Sequence, residues 1–325
     1  MGVNSDELAI SVVVPVYDNA DVIGDVVRAF LTQEGLRSPF ELVIVDDASR
    51  DDPRQAIGPL LEDARVVLVR NETNLGAAAT RNRGLDLARG RIVVLSDGDC
   101  VPAPGFLRAH ETAHEERSHV DTAVLGQIEY PPAVTVTPLM RLGNVVEFWT
   151  APGVGETSTD FKLFHTTNIS LKREFVSERF DAELFSMSGW EDNEMGWRMA
   201  RRGLRFASAP LAISYHHHFL GPEEFLEKCY RYGRLLSRWM AACSAEERQE
   251  LERRFRPRAG GGSGLGTRLM VNRITFPIVR ALAAWTEAWG PAFSASLYWK
   301  LYPFLFERGF RNRAVAGVRD ALGDR

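Results

Sequence analysis

Cysteine is scarce: three residues, Cys100, Cys229 and Cys243, in a chain of 325. An odd number without C-x-x-C spacing suggests neither a disulfide framework nor a cysteine zinc site, and makes the reducing cytoplasm the expected compartment. An excess of positive charge is also lacking, since 39 lysines and arginines stand against 43 aspartates and glutamates for a net charge of -4. Nucleic acid is therefore not the expected partner. The opening MGVNSDEL has neither the basic stretch nor the apolar core of a signal peptide, and no run approaches the ~18 apolar residues of a membrane span. Neither secretion nor a transmembrane anchor is expected. No G-x-G-x-x-G follows the first β-branched run, which argues against a dinucleotide-binding dehydrogenase.

What is present is an ordinary globular composition, 45% hydrophobic and 25% charged, long enough for one large domain plus an extension. Ile10 to Val16 is β-branched and predicts a strand. Val22, Ile23, Val26, Val27 and Phe30 then follow at helical spacing. The pattern recurs with strands at 42–45, 66–69 and 92–95 and helices at 53–61 and 77–88. Continuously apolar short strands alternating with helices predict a doubly wound α/β sheet, which binds ligands beyond the carboxyl ends of its strands. After Pro131-Pro132 the alternation loosens, with strands expected near 166–171 and 211–215 and a helix over 191–202. The chain turns helical from Pro222, and Ala259–Gly266 (AGGGSGLG) reads as a linker. The expected division is a domain at 1–220, with a donor half at 1–130 and an acceptor half at 131–220, and a helical extension at 221–325.

Asp97-Gly98-Asp99 follows the 92–95 strand. Residues two apart on an extended chain face one side, so both carboxylates can meet a hard cation such as Mg2+ or Mn2+, although an acidic turn has the same letters. Asp46-Asp47 ends the second strand, where a carboxylate can accept from a base or ribose, or cap a turn. Asn74-Leu75-Gly76 and Arg81 follow the third strand, and Arg81 offers a charged fork or an ordinary surface arginine. Gly189-Trp190-Glu191-Asp192 opens a helix: a carboxylate there can take a proton from a hydroxyl and the tryptophan can face a sugar ring, while helix N-termini favour acids in any case. His216-His217-His218 follows a strand and can supply another metal ligand.

The pieces SVVVPVYDN, VDDAS, NLGAAATRNRG, LSDGD and GWED, in that order across residues 10 to about 220, resemble the inverting family-2 glycosyltransferases of GT-A fold. That resemblance implies a Rossmann-like mixed sheet with a helical C-terminal extension, and transfer from a nucleotide diphosphate sugar, a UDP-sugar first, to an acceptor hydroxyl. It implies donor contacts at Pro15, Tyr17, Asp18, Asp46, Asn74, Arg81, Asp97 and Trp190. Asp99 is then the direct metal ligand, with Asp97 and either His216 or His218 beside it, holding Mn2+ or Mg2+. Asp192 is the implied general base, with Glu191 the adjacent acid. Asp18 departs from the family, which usually has asparagine there. The acceptor expected is a glycan, a lipid-linked glycan or a natural product.

Rival readings stay on the table. His110-Glu111-Thr112-Ala113-His114 spells the H-E-x-x-H of zinc hydrolases, yet Arg117 and Val120 stand where the extended motif has glycine and histidine. A nucleotidyltransferase shares the donor logic without a role for GWED, and a non-catalytic nucleotide-sugar module needs no base. Beyond Arg268 the chain crowds Phe276, Trp285, Trp289, Phe293, Tyr298, Trp299, Tyr302, Phe304 and Phe306 among Arg273, Arg280, Lys300, Arg308, Arg311 and Arg313. Residues 268–313 are thus expected either to pack as core or homodimer interface, or to touch the inner face of a membrane peripherally.

Overall fold

The computed structural model describes residues 9–117, 119–147, 153, 155–255, 270–272, 274–286 and 289–311. The proposed linker at 259–266, Arg273 and Arg313 lie outside the described residues. Two compact units emerge: Met1–Val134 with Phe148–His218, and Thr135–Glu147 with Phe219–Arg325. Residues 135–147 therefore leave the acceptor half to which the sequence reading gave them. The reason is apolar: Leu139 of this segment is buried among Phe225, Tyr230 and Leu301 of the helical unit.

The first unit is built on one sheet in the order β3-β2-β1-β4-β7-β6-β8-β5. Strands β1 (Ile10–Val16), β2 (Phe40–Asp46), β3 (Val66–Arg70) and β4 (Ile92–Ser96) are parallel. Helices α1 (Ile23–Leu31), α2 (Pro53–Ile57) and α3 (Ala77–Leu87) connect them. Beyond β4 the sheet turns mixed. β7 (Asn168–Lys172) runs antiparallel to both β4 and β6 (Thr122–Glu129), β8 (Arg205–His216) runs parallel to β6, and β5 (Cys100–Pro102) is antiparallel to β8.

Side chains alternate across the pleat, which splits the core in two. Val12 and Val14 pack with Val26 and Phe30 of α1 and with Phe106 and Leu107 of α4 (Phe106–Glu115). Val13, Val93 and Leu95 pack instead with Leu85 of α3 and with Met195 and Met199 of α6 (Glu191–Ala200). Both faces are covered, as the apolar strands required. Strand order reverses between β1 and β4, and at that switch point the carboxyl ends of β1, β2 and β4 deliver Tyr17, Asp46 and Asp97 to one edge of the sheet.

The second unit contains α5 (Pro138–Glu147), α7 (Pro222–Ala242), α8 (Ala245–Phe255), α9 (Phe276–Thr286) and α10 (Pro291–Arg311). Helices α7 and α10 approach closely at glycines. A Cβ on Gly233 would lie 1.9 Å from the Phe306 carbonyl oxygen, and one on Gly309 2.0 Å from that of Tyr230.

Candidate active site

Asp97-Gly98-Asp99 carries the chain from β4 into β5. Gly98 serves the fold here, because a Cβ would stand 2.9 Å from the carbonyl oxygen of Pro15 at the end of β1. Pairing of β5 with β8 sets Cys100 opposite His216, and the His217 amide donates to the Asp99 carbonyl at 2.8 Å. His216 Nε2 consequently stands 3.6 Å from Asp99 Oδ1. His216 and His218 stack with ring centroids 5.6 Å apart, as expected for residues two apart on extended backbone. Ligand atoms of Asp99, Cys100 and His216 all fall within 4.8 Å of one another. Burial pushes the Asp99 carboxyl up, but the neighbouring His216 and His218 outweigh it and hold the group below its usual value. Cys100 was not foreseen as a member of this cluster. Its thiol is pushed well up by burial and then by Asp99 and Asp97, and a hard cation prefers the oxygen and nitrogen donors beside it. The remaining carboxylate and imidazole are donors that suit Mn2+ and tolerate Mg2+.

Asp97, expected at the metal and ribose, lies outside that group and turns to Arg81, whose Nη2 donates to Asp97 Oδ1 at 2.8 Å. Arg81 Nη1 donates to Glu191 Oε1 at 3.2 Å. Arg81 is buried, and both tips of its fork are committed to these acids. Burial alone would lower the arginine's proton affinity, but the charges of Asp97 and Glu191 raise it. Glu191 is likewise buried and also accepts from the Gly189 amide at 2.6 Å. Burial, then repulsion from Asp192, raises its pKa against the pull of Arg81. Glu191 is thus an internal strut, with no face open to an acceptor.

Asp192 is different. It sits in the first turn of α6, its Oδ1 accepts from the Asn193 amide at 2.8 Å, its Oδ2 lies 3.8 Å from His165 Nδ1, and 22% of its side chain is exposed. Trp190 is buried, which corrects the expectation of an open indole for a sugar ring.

On the donor side, Asp46 is buried, accepts from the Ser49 amide at 2.9 Å and pairs with Arg70. Asp47 accepts from the Leu75 and Gly76 amides, each at 2.9 Å, and from Asn71 Nδ2 at 2.7 Å. It therefore shapes the Asn74-Leu75-Gly76 loop, which leaves Asn74 exposed. Gly76 has φ +85 and its missing Cβ would meet the Ser186 carbonyl oxygen at 2.7 Å. Tyr17 is exposed beside the Arg50 guanidinium. Asp18 has φ 53, a left-handed conformation that asparagine and aspartate tolerate best, and its carboxylate accepts from the Arg50 amide at 2.7 Å. Pro15 sits in register with Val45 of β2.

The H-E-x-x-H string lies on α4, but its histidines face inward. His110 Nε2 meets Asn168 Oδ1 at 2.9 Å, His110 Nδ1 meets Ser170 Oγ at 2.8 Å, and His114 Nε2 meets the same hydroxyl at 2.9 Å. Asn168 Nδ2 donates to the carbonyls of Gln127 and Ala212, so its Oδ1 must accept from a protonated His110 Nε2. The Ser170 hydroxyl then donates to His110 Nδ1 and accepts from His114 Nε2. Glu111 pairs with Arg108 at 2.6 Å. These groups are a hydrogen-bonded part of the core, and the zinc-hydrolase reading is set aside.

A sequence model of the family described as "Glycosyl transferase family 2" matches residues 11–178. The chain is 26% identical over 248 residues to the hyaluronan synthase of Pasteurella multocida, covering 66% of this chain and 25% of that protein. It is 23% identical over 244 residues to the chondroitin synthase of Escherichia coli, covering 66% and 35%. The chain thus spans between a quarter and about a third of the length of these relatives. Among solved structures it resembles residues 1–349 of S. aureus TarS, with TM-score 0.57, 19% identity and coverage of 94% and 91%. It also resembles the mannosyltransferase PcManGT of Pyrobaculum calidifontis, solved with GDP-Man and Mn2+, with TM-score 0.60, 18% identity and coverage of 94% and 87%. With the mixed sheet, the strand-end acids and a family match over more than half its length, the chain belongs to glycosyl transferase family 2 and has the GT-A fold.

Proposed function

We propose that this chain transfers a sugar from a nucleotide diphosphate donor to an acceptor hydroxyl, with inversion, using Asp192 as general base. The observation that carries the assignment is the contrast between the two adjacent acids: Glu191 is sealed against Arg81, whereas Asp192 is part-exposed beside His165. A base must be open to the acceptor oxygen, and Asp192, with 22% of its side chain exposed against 5% for Glu191, is the acid that meets this condition. Asp192 takes the acceptor proton, the oxygen forms its bond to the anomeric carbon, and the bond from that carbon to the nucleotide diphosphate breaks with its electron pair leaving on phosphate. Asp99 and His216, with His218 behind, would hold Mn2+ or Mg2+. When bound, that ion neutralises charge on the departing diphosphate. Arg81 holds Asp97 and Glu191 in place, and Asp47 holds the loop carrying Asn74.

TarS has been solved with UDP and with UDP-GlcNAc, and the mannosyltransferase with GDP-Man and Mn2+. These support a nucleotide sugar, with uridine the first choice, and a divalent ion. The relatives named hyaluronan synthase and chondroitin synthase support a glycan as acceptor and a role in carbohydrate biosynthesis. Free cysteines at 100, 229 and 243 support a cytoplasmic setting.

Calorimetric titration of UDP and GDP, with and without Mn2+, on the natural chain and on Asp99→Ala tests the donor site. Binding that needs both Mn2+ and Asp99 is expected. Binding indifferent to both would overturn the metal-dependent assignment.

A further inference from the structure

Helix α9 is apolar on two sides, although only one of them is covered. Phe276, Val279, Ala283 and Thr286 are buried within the helical unit. On the other side Ile278 and Leu282 are exposed, and Trp285 is 68% exposed. The stripe extends in both directions with Ile274 before the helix, Trp289 after it at 81% exposed, and Phe293 in the first turn of α10. Within α9, spacings of four and three put Ile278, Leu282 and Trp285 on one face, and Ile274, Trp289 and Phe293 add exposed apolar side chains just before and after it. Arg280 is the sole charged residue of α9. A surface helix of a water-facing unit carries polar residues on its outer side, and six large apolar side chains in a row call for a partner.

The surrounding charge says which partner. From residue 268 to 313 the sequence holds seven arginines or lysines against two glutamates, in a chain whose total is net acidic. Among the described residues this excess comes from Arg280, Lys300, Arg308 and Arg311 against Glu307, with Arg280 lying 3.8 Å from Glu223, and a second copy docking through this face by two-fold symmetry would set that excess against itself. An anionic lipid surface instead takes the apolar side chains among its acyl chains, the tryptophans at its headgroups and the cations at its phosphates. No described helix is long and apolar enough to cross a membrane, so the contact is parallel to the surface. We infer that α9 and its flanks, from Ile274 to Phe293, form an interfacial docking face for an anionic bilayer.

The test is co-sedimentation of the full chain with vesicles of phosphatidylcholine alone and of phosphatidylcholine mixed with phosphatidylglycerol, with solution mass measured in parallel. The natural chain should pellet with the anionic vesicles, and its tryptophan emission should shift to the blue. The double variant Trp285→Ser/Trp289→Ser should lose vesicle binding by roughly tenfold or more, with its circular dichroism and UDP titration unchanged. Those two controls separate a failed surface from a failed fold or a failed donor assignment. The inference is overturned if the natural chain stays in the supernatant with both vesicles, if it binds both equally, or if it is a dimer that the double variant converts to monomer.

Discussion

Glu191 and Arg81 lie 110 positions apart in the sequence and meet across 3.2 Å in the interior of the sheet domain. Through the same guanidinium, the start of α6 is tied to Asp97 at the end of β4. Removing the arginine leaves the buried Glu191 and the part-exposed Asp97 without their counter-charge. Arg81→Met should therefore destabilise the fold by roughly 3–5 kcal/mol, whereas Arg81→Met/Glu191→Gln should recover part of that loss. Chemical denaturation of both variants checks this, and equal stability of the single variant and the natural chain would refute the strut.

Asp192→Asn keeps shape and removes the proton acceptor. Nucleotide release from the donor should slow by roughly two to four orders of magnitude, with donor affinity and melting temperature close to those of the natural chain. A rate within a few-fold of normal would remove Asp192 from the mechanism.

The histidine pair in α4 links stability to pH. Burial lowers the His110 pKa to about 4 and the His114 pKa to about 3, from 6.5. Both folded values are depressed, so the unfolded chain binds more protons between them and 6.5. Their contribution is complete above about pH 6.5 and is lost as pH falls toward 4 and 3. Unfolding free energy should drop by roughly 2–4 kcal/mol between pH 7 and pH 5. His114→Gln should flatten that slope by about half; an unchanged slope would show that the loss comes from other groups.

At the crossing of α7 and α10, Gly233→Ala forces a methyl group to within 1.9 Å of a carbonyl oxygen unless the helices separate. Such overpacking costs about 1–3 kcal/mol or more. A melting temperature lower by several degrees is expected, and Gly221→Ala, which has φ -89 and meets nothing within 4 Å, is the control without a clash.

The parallel half of the sheet was legible because its strands are uniformly apolar and its helices periodic. Expected spans 10–16 and 66–69 match β1 and β3 closely. Two strands escaped notice. β5 is three residues long, too short to show a period. β6 is interrupted at Gly126, where its register with β8 shifts and where a Cβ would collide with the Asn168 side chain. At the site, the acids could be listed from sequence but not sorted. What separates Glu191 from Asp192 is the arrival of Arg81 from α3, and what draws His216 to Asp99 and Cys100 is the pairing of β5 with β8. Both are tertiary events that neighbouring residues do not encode.

The sheet order also has a consequence for synthesis on the ribosome. Strands β1 to β4 are complete by Ser96, and short connections let them pair early. The far edge of β4, however, is covered by β7, which begins only at Asn168. A nascent chain halted between these points presents Val93, Val94 and Leu95 with open backbone hydrogen-bonding groups, a template for strands of other copies. Truncations ending between residues 97 and 167 should therefore accumulate as aggregates, and the pace of translation through that stretch should govern the yield of soluble protein.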